Sequence, residues 1–226
     1  MKNIIILSNR DWNNWIVQDL NKSFANKYNF ELISEKTMLQ KSVLDKLEPE
    51  WIFVPHWSYL IPEEVYTNFE CVIFHMTDLP HGRGGSPLQN LISRGHKKTK
   101  VSAIKCIEEL DAGPIYIKQE LDLSGSAQQI FTRMSYIIRD MIISILNKKI
   151  EPSIQKGEAT FFKRRTPSQS NIKNLNNIEE IYDNIRMLDA EGYPKAFLEL
   201  NDFKLELYNA HLENGEINAS VRICTK

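Results

Sequence analysis

The sequence predicts an open, mainly parallel α/β sheet followed by a small β-rich C-terminal extension. Three short apolar runs carry the first half of that expectation: Ile4-Ile5-Ile6-Leu7, Trp51-Ile52-Phe53-Val54 and Cys71-Val72-Ile73-Phe74. Each is bounded by polar or turn residues, the pattern of a strand buried on both faces. Segments with helical apolar spacing lie between them, as strand–helix alternation requires. Beyond residue 195 the pattern changes to apolar–polar alternation, which suits antiparallel strands with one face open. Residues 1–167 are expected to form the main domain and residues 178–226 the small β-rich one.

The first strand, Ile4–Leu7, runs into Ser8-Asn9-Arg10, and a helix opens near Asp11 with Trp15, Leu20 and Phe24 on its apolar side. A strand end feeding a helix is a natural anion site, because the first helical N–H groups are free. Arg10 stands there, either to meet a charged ligand group or as a solvated side chain. No Gly-x-Gly-x-x-Gly follows the strand, which disfavours a dinucleotide site. Glu31–Ile33 reads as a short strand and Met38–Leu47 as a helix. Trp51–Val54 reads as the next buried strand, ending in the aromatic loop Pro55-His56-Trp57-Ser58-Tyr59-Leu60-Ile61-Pro62. Pro62-Glu63-Glu64 starts a short helix, where proline is tolerated in the first turn.

After the Cys71–Phe74 strand, residues 86–93 read as a helix, and 99–107 with 115–121 as two strands flanking the turn Asp111-Ala112-Gly113-Pro114. Ser126-Ala127-Gln128-Gln129 resembles a capping box. Ile130, Phe131, Met134, Ile137, Ile138, Met141, Ile142 and Ile145 then repeat at helical spacing, which marks a core-facing helix. Ala159–Phe162 is extended and leads into Lys163-Arg164-Arg165. Residues 168–177 are polar and read as a boundary loop. Residues 178–188 read as a helix, and 197–200, 204–209 and 217–223 as strands. Asn214-Gly215 is a strong hairpin signal between the last two.

The totals exclude several classes. The chain has 226 residues, 42% hydrophobic and 25% charged, with a net charge of −1, so no general attraction to a nucleic-acid backbone is expected. Cys71, Cys106 and Cys224 are odd in number and far apart, which offers neither a disulfide framework nor zinc spacing, and no metal is expected. The N-terminal apolar run is too short for a signal peptide, and no stretch is long enough to span a bilayer. A reduced cytoplasmic protein without a membrane partner is expected.

The chemistry concentrates between His75 and Pro114. His75 stands at the mouth of a buried strand, and open α/β sheets place ligands at the carboxyl ends of their strands. Asp111 lies in a tight turn downstream. If the turn folds back, the two side chains form a pair able to move a proton near neutral pH. Spacing alone leaves the plainer alternative open, in which His75 ends a strand and Asp111 makes a turn.

His75, Leu79-Pro80, Arg83-Gly84-Gly85-Ser86-Pro87 and Asp111-Ala112-Gly113-Pro114 stand in one order. With Thr160-Phe161-Phe162-Lys163-Arg164-Arg165-Thr166-Pro167 and Tyr182-Asp183-Asn184-Ile185-Arg186, this set resembles the N10-formyltetrahydrofolate-dependent formyltransferases. The resemblance covers most of the chain. It implies a Rossmann-like formyltransferase sheet in residues 1–167, an enzyme of one-carbon transfer, and N10-formyltetrahydrofolate as co-substrate. Carried over residue by residue, it implies His75 and Asp111 as catalysts. It implies Trp57, Tyr59, Leu60, Arg83, Gly84 and Asp111 at the folate, and Asn9, Arg10, Trp12, Thr77, Asp78 and His81 at the acceptor. The segment Arg186–Pro194 and the short length are similar to the sugar N-formyltransferase branch. The expected acceptor is therefore a primary amine of an amino sugar, nucleotide-linked, in pseudaminic acid or other surface-sugar synthesis. A small-molecule partner and no nucleic acid are expected, because a larger, more basic second domain is absent; a homodimer is left open.

One position departs from the family pattern. Its catalytic asparagine, two residues before the histidine, falls on Ile73, which cannot hydrogen-bond an oxyanion. A neighbour such as Thr77 or Asp78, or a backbone N–H, would have to replace it. The rival expectation is a weak or inactive folate- or sugar-binding homologue, or an enzyme with another acceptor.

Overall fold

The computed structural model describes residues 1–226. The chain forms two compact units. The first comprises Met1–Arg83, Thr99–Leu121 and Thr132–Phe161; the second comprises Gly84–Lys98, Asp122–Phe131 and Phe162–Lys226.

The main sheet holds β1 (Lys2–Ser8), β2 (Tyr28–Ile33), β3 (Pro49–His56), β4 (Cys71–His75), β6 (Lys98–Lys105) and β7 (Ile115–Asp122), in the order β2-β1-β3-β4-β6-β7. β1 pairs parallel with β2 and β3, and β3 parallel with β4, whereas β4 pairs antiparallel with β6. The expected open, mainly parallel sheet is therefore present. Ile4, Ile5, Ile6 and Leu7 are wholly buried because β1 is an inner strand, flanked by β2 and β3 and covered on both faces. Each such side chain contributes roughly 1.5–3 kcal/mol of transfer free energy. The short β5 (Arg83–Gly84) and β8 (Phe161–Phe162) pair with each other.

Helices α1 (Asn14–Ser23), α2 (Lys41–Leu47) and α3 (Glu63–Tyr66) follow the first strands, and α4 (Pro87–Ile92) follows β5. The 22-residue α5 (Ala127–Lys148) carries the long apolar stripe, with Ile130, Met134, Ile138, Met141, Ile142 and Ile145 buried. Two boundaries differ from the sequence expectation. A single 3-10 turn at Asp11–Asn13 precedes α1, and another at Lys36–Met38 precedes α2, which begins only at Lys41. Neither α1 nor α2 has a side-chain N-cap bond, so the chain enters each through looser turns.

In the second unit α6 (Ile178–Arg186) is capped by Asn177, whose side chain accepts from the N–H groups of Glu179 and Glu180. A three-stranded antiparallel sheet comes next, β9 (Ala196–Leu200), β10 (Phe203–Glu213) and β11 (Glu216–Thr225), in the order β11-β10-β9. Asn214 and Gly215 both take positive φ, 51° and 77°, as the two-residue turn between β10 and β11 demands. No helix is long and apolar enough to cross a membrane.

Candidate active site

β4 sets the site. Alternation along the strand puts Cys71, Ile73 and His75 on one face. His75 is 7% exposed and pairs in register with Ser102 of β6. The Ser102 hydroxyl donates to the Thr77 carbonyl at 2.7 Å and lies 3.4 Å from the Leu79 N–H, which ties the chain leaving β4 to its neighbour. Thr160 closes the same loop from the other side. Its N–H donates to the Pro80 carbonyl at 3.2 Å, and its hydroxyl accepts from the Gly82 N–H at 2.8 Å.

That loop presents the Gly82 carbonyl to His75 Nε2 at 2.9 Å. A carbonyl can only accept, so Nε2 carries the hydrogen and Nδ1 is the nitrogen able to gain or lose a proton. Nδ1 faces Asp111 Oδ1 at 3.5 Å, with both side chains about 8% exposed. At that distance the contact is too long for a tight hydrogen bond, and it becomes an ion pair only when Nδ1 takes up a proton. Gly82 therefore orients the ring, and Asp111 supplies the charge opposite Nδ1. The predicted His75–Asp111 pair is brought together.

Asp111 has φ 54° and starts a turn that admits no side chain at Gly113, where a Cβ would sit 1.8 Å from the Lys105 carbonyl oxygen. Gln155 lies beside this turn and donates to the carbonyls of Asp111 and Gly113. Nothing in the local sequence marks Gln155 or Ser102 as parts of the site, whereas Thr160 opens one of the segments on which the family resemblance rests and Gly82 is a turn residue. All four are joined by long-range contacts.

The other predicted residues divide. Asn9 donates to the Ser58 hydroxyl at 3.1 Å, and its N–H reaches the His56 carbonyl at 3.2 Å, which joins the ends of β1 and β3. Arg10 lies over the Trp12 ring at 5.5 Å, and Trp12 meets His56 edge-on at 5.8 Å. Burial, with the Arg10 charge second, pushes His56 down to about 4, so this imidazole is neutral near pH 7. Trp57 meets Tyr59 edge-on at 5.5 Å, and Lys36 lies over the Tyr59 ring at 5.0 Å. Leu60 is exposed. The Trp57 Nε1–H is buried without a hydrogen-bond partner, an arrangement that costs free energy unless a ligand accepts from it.

Thr77 is wholly buried, 3.4 Å from the Gly82 carbonyl. Asp78 bridges Lys118 and Lys100; burial works against its ionisation, but hydrogen bonds from the two lysines prevail and hold the carboxyl below its ordinary range. His81 Nδ1 lies 2.8 Å from the Thr160 hydroxyl. Arg83 bonds Gln155 and Glu109. Gly84, with φ 104°, falls in the second unit, where a Cβ would meet the Phe162 carbonyl at 2.5 Å; close backbone packing explains this glycine. Ile73 pairs in register with Val54 of β3 and Ile104 of β6 and packs against the buried apolar cluster that includes Val54, Cys71 and Cys106. Burial raises both thiols, Cys106 to about 12 with Asp111 adding to the effect, so neither is a nucleophile at neutral pH.

Residues 14–134, more than half of the chain, match the family model described as formyl transferase. The chain belongs to the formyl transferase family. In this formyl transferase, residues 167–224 also match the model described as methionyl-tRNA formyltransferase, C-terminal domain. A methionyl-tRNA formyltransferase of Sulfurihydrogenibium sp. is 27% identical over 216 residues, covering 88% of this chain and 67% of the relative. The chain thus spans about two thirds of the length of such curated relatives. A solved methionyl-tRNA formyltransferase from Clostridium thermocellum is 50% identical, with a TM-score of 0.97 over all of both chains. HypX from Aquifex aeolicus in complex with tetrahydrofolic acid shares the fold at 17% identity, with a TM-score of 0.74 over 93% of this chain and 38% of that one.

These findings bear out the formyltransferase expectation and overturn the finer one. The amino-sugar acceptor, the link to pseudaminic acid and surface sugars, and the exclusion of nucleic acid do not stand, because the matching relatives are methionyl-tRNA formyltransferases. Short length misled the expectation: a solved protein of that description has the same extent as this chain. The net charge of −1 misled it too, since a total says nothing about how charge is distributed.

Proposed function

We propose that this formyl transferase moves the formyl group of N10-formyltetrahydrofolate to the amine of methionine carried on tRNA. The likeness to the C. thermocellum methionyl-tRNA formyltransferase along the full length of both chains carries the reading. Local charge supports it. Segments 84–98 and 162–178 hold seven Lys and Arg residues and no Asp or Glu. They are laced together in the second unit: Asn90 donates to the Lys163 carbonyl, the Arg165 N–H donates to the Ser86 hydroxyl, and Arg94 lies over Phe162. A patch of this kind attracts a phosphate backbone even on a chain of near-zero net charge. Residues 1–167 as the catalytic part, residues 178–226 as the small β-rich part, and a cytoplasmic setting belong to the same proposal.

The folate supplies a formyl carbon activated on N10. The aromatic loop fits such a flat heterocycle, because the buried, unpartnered Trp57 Nε1–H offers a donor to a ring acceptor. An attacking amine must lose a proton. His75 Nδ1 takes it as the new C–N bond forms, Nε2 stays bound to Gly82, and the Asp111 carboxylate stabilises the cation; Nδ1 then returns that proton to N10 as the formyl carbon–N10 bond breaks and tetrahydrofolate leaves. Positioned acid–base groups of this kind contribute about 10²–10⁴-fold. Charge developing on the formyl oxygen needs a donor, and Ile73 cannot be one. With Thr77 buried and Asp78 held by lysines, the proton acquired by Nδ1 is the side-chain donor left near this oxygen.

The test is transfer of labelled formyl from N10-formyltetrahydrofolate to methionyl-tRNA, with uncharged tRNA and free methionine as controls. The proposal expects label on methionyl-tRNA alone. No label on it at stoichiometric protein, with the donor bound, overturns the proposal.

A further inference from the structure

We propose that Gln155, itself held by Arg83, is the positioning residue that fixes the Asp111 turn so that its carboxylate faces His75. The chain arrives there through an isolated antiparallel bridge. The Ile115 N–H donates to the Ser153 carbonyl at 2.7 Å, and the Ser153 N–H donates back at 2.9 Å. Two residues further along each segment, this register sets Gln155 beside Gly113.

Gln155 then replaces ladder bonds with side-chain ones. Nε2–H donates to the Asp111 carbonyl at 2.8 Å and to the Gly113 carbonyl at 2.9 Å. An amide can be turned either way, but here its orientation is determined. Arg83 donates to Oε1 from Nη2 at 2.9 Å and from Nε at 3.3 Å, and a guanidinium can only donate. The two amide hydrogens therefore face the two turn carbonyls. Arg83 is anchored in turn by Nη1 to Glu109 Oε1 at 2.8 Å, within the same connection that carries Asp111. Its side chain is 12% exposed, so the end that holds Gln155 is enclosed, whereas the Glu109 carboxylate it reaches is open to solvent.

The brace has something to hold. Asp111 sits at φ 54°, a left-handed conformation that costs a non-glycine residue free energy unless its surroundings impose it. The contact it serves spans 3.5 Å from Asp111 Oδ1 to Nδ1, so its geometry depends on where the turn holds the carboxylate. Gly113 packs against the Lys105 carbonyl and fixes one side of the turn. Gln155 fixes the other, at the carbonyl of Asp111 itself. Arg83 thus serves the catalytic pair from behind the turn. Geometry within about half an ångström separates a productive pair from an idle one, so a residue that touches no substrate can govern the rate.

The inference rests on the assignment of proton handling to Asp111, and the test separates the two. Gln155→Glu keeps a partner for Arg83 but removes both donors to the turn. It should lower kcat at least tenfold, with KM for donor and acceptor within about twofold. In an Asp111→Asn background the same change should cost less than twofold, because there is no carboxylate left to position. Equal losses in both backgrounds, or an unchanged kcat in the first, overturn the proposal. A second measurement needs no acceptor. The imidazole 15N resonances of His75, identified by their loss in His75→Gln, should move in Gln155→Leu in the same direction as in Asp111→Asn. Resonances unmoved in folded Gln155→Leu also overturn it. If Asp111→Asn itself leaves the rate intact, the assignment to Asp111 has failed instead.

Discussion

Replacing Ile73 by asparagine would restore the family residue, and the packing around that position decides whether the new side chain can act. Ile73 lies on the face of β4 that carries His75, two residues away, against the buried cluster that includes Val54, Cys71 and Cys106. It is only partly buried, so losing its apolar contact costs about 1–2 kcal/mol, below the roughly 1.5–3 kcal/mol of a fully buried side chain. A carboxamide set against this apolar cluster gives up water contacts, and desolvating it adds about 1–3 kcal/mol. Stability should fall by roughly 2–5 kcal/mol. An oxyanion donor in the right place is worth about 2.7–4 kcal/mol, a hundredfold or more in rate. In a pocket filled by an aliphatic cluster the amide will not be aimed, and the single-turnover rate should rise less than tenfold. Urea denaturation and rapid-quench formylation of the variant measure both quantities. A hundredfold gain in rate would refute the reasoning and show that the donor geometry survives around a damaged position.

Gly113→Ala should unfold or inactivate the protein, since a Cβ there meets the Lys105 carbonyl at 1.8 Å and the turn must move with Asp111 on it; circular dichroism with an activity assay checks this. His56 gives the fold an acid limit. Its folded value of about 4 lies below the ordinary 6.5, so the unfolded chain binds the proton first, and stability falls as pH drops from 6.5 towards 4 and is flat above. The loss is at most about 3 kcal/mol, less for the part of the ring open to water, and His56→Gln should flatten the melting profile across that window. N5-formyltetrahydrofolate at millimolar concentration should raise the melting temperature, and Trp57→Phe, which removes the buried N–H, should shrink that rise; an equal rise in both would separate Trp57 from the folate.

Much of the fold was legible because local patterns and tertiary outcome agree. The four residues Ile4–Leu7 are apolar on both faces and lie inside the sheet, between β2 and β3, and Asn214-Gly215 makes the turn its dihedral preferences favour. The antiparallel placement of β6 against β4 was not legible, because a buried strand reads the same in either direction. At the site, His75 and Asp111 were legible as residue types at strand and turn ends, whereas the parts that orient them were not. Gly82 acts through a backbone carbonyl, which has no sequence signature. Gln155 arrives from 44 positions away through one bridge. The acceptor was misread for another reason: length and net charge are averages, and the basic segments 84–98 and 162–178 disappear in a total of −1.

The most direct test of the account is single-turnover formylation of methionyl-tRNA by His75→Gln, Asp111→Asn and the double variant, each beside the unaltered chain. If Nδ1 takes the amine's proton and Asp111 stabilises the cation, each single change removes most of the rate. The double change then loses little more than the worse single one, because the two residues act as one unit. Losses that multiply, or a His75→Gln variant within tenfold of the unaltered chain, would contradict the account.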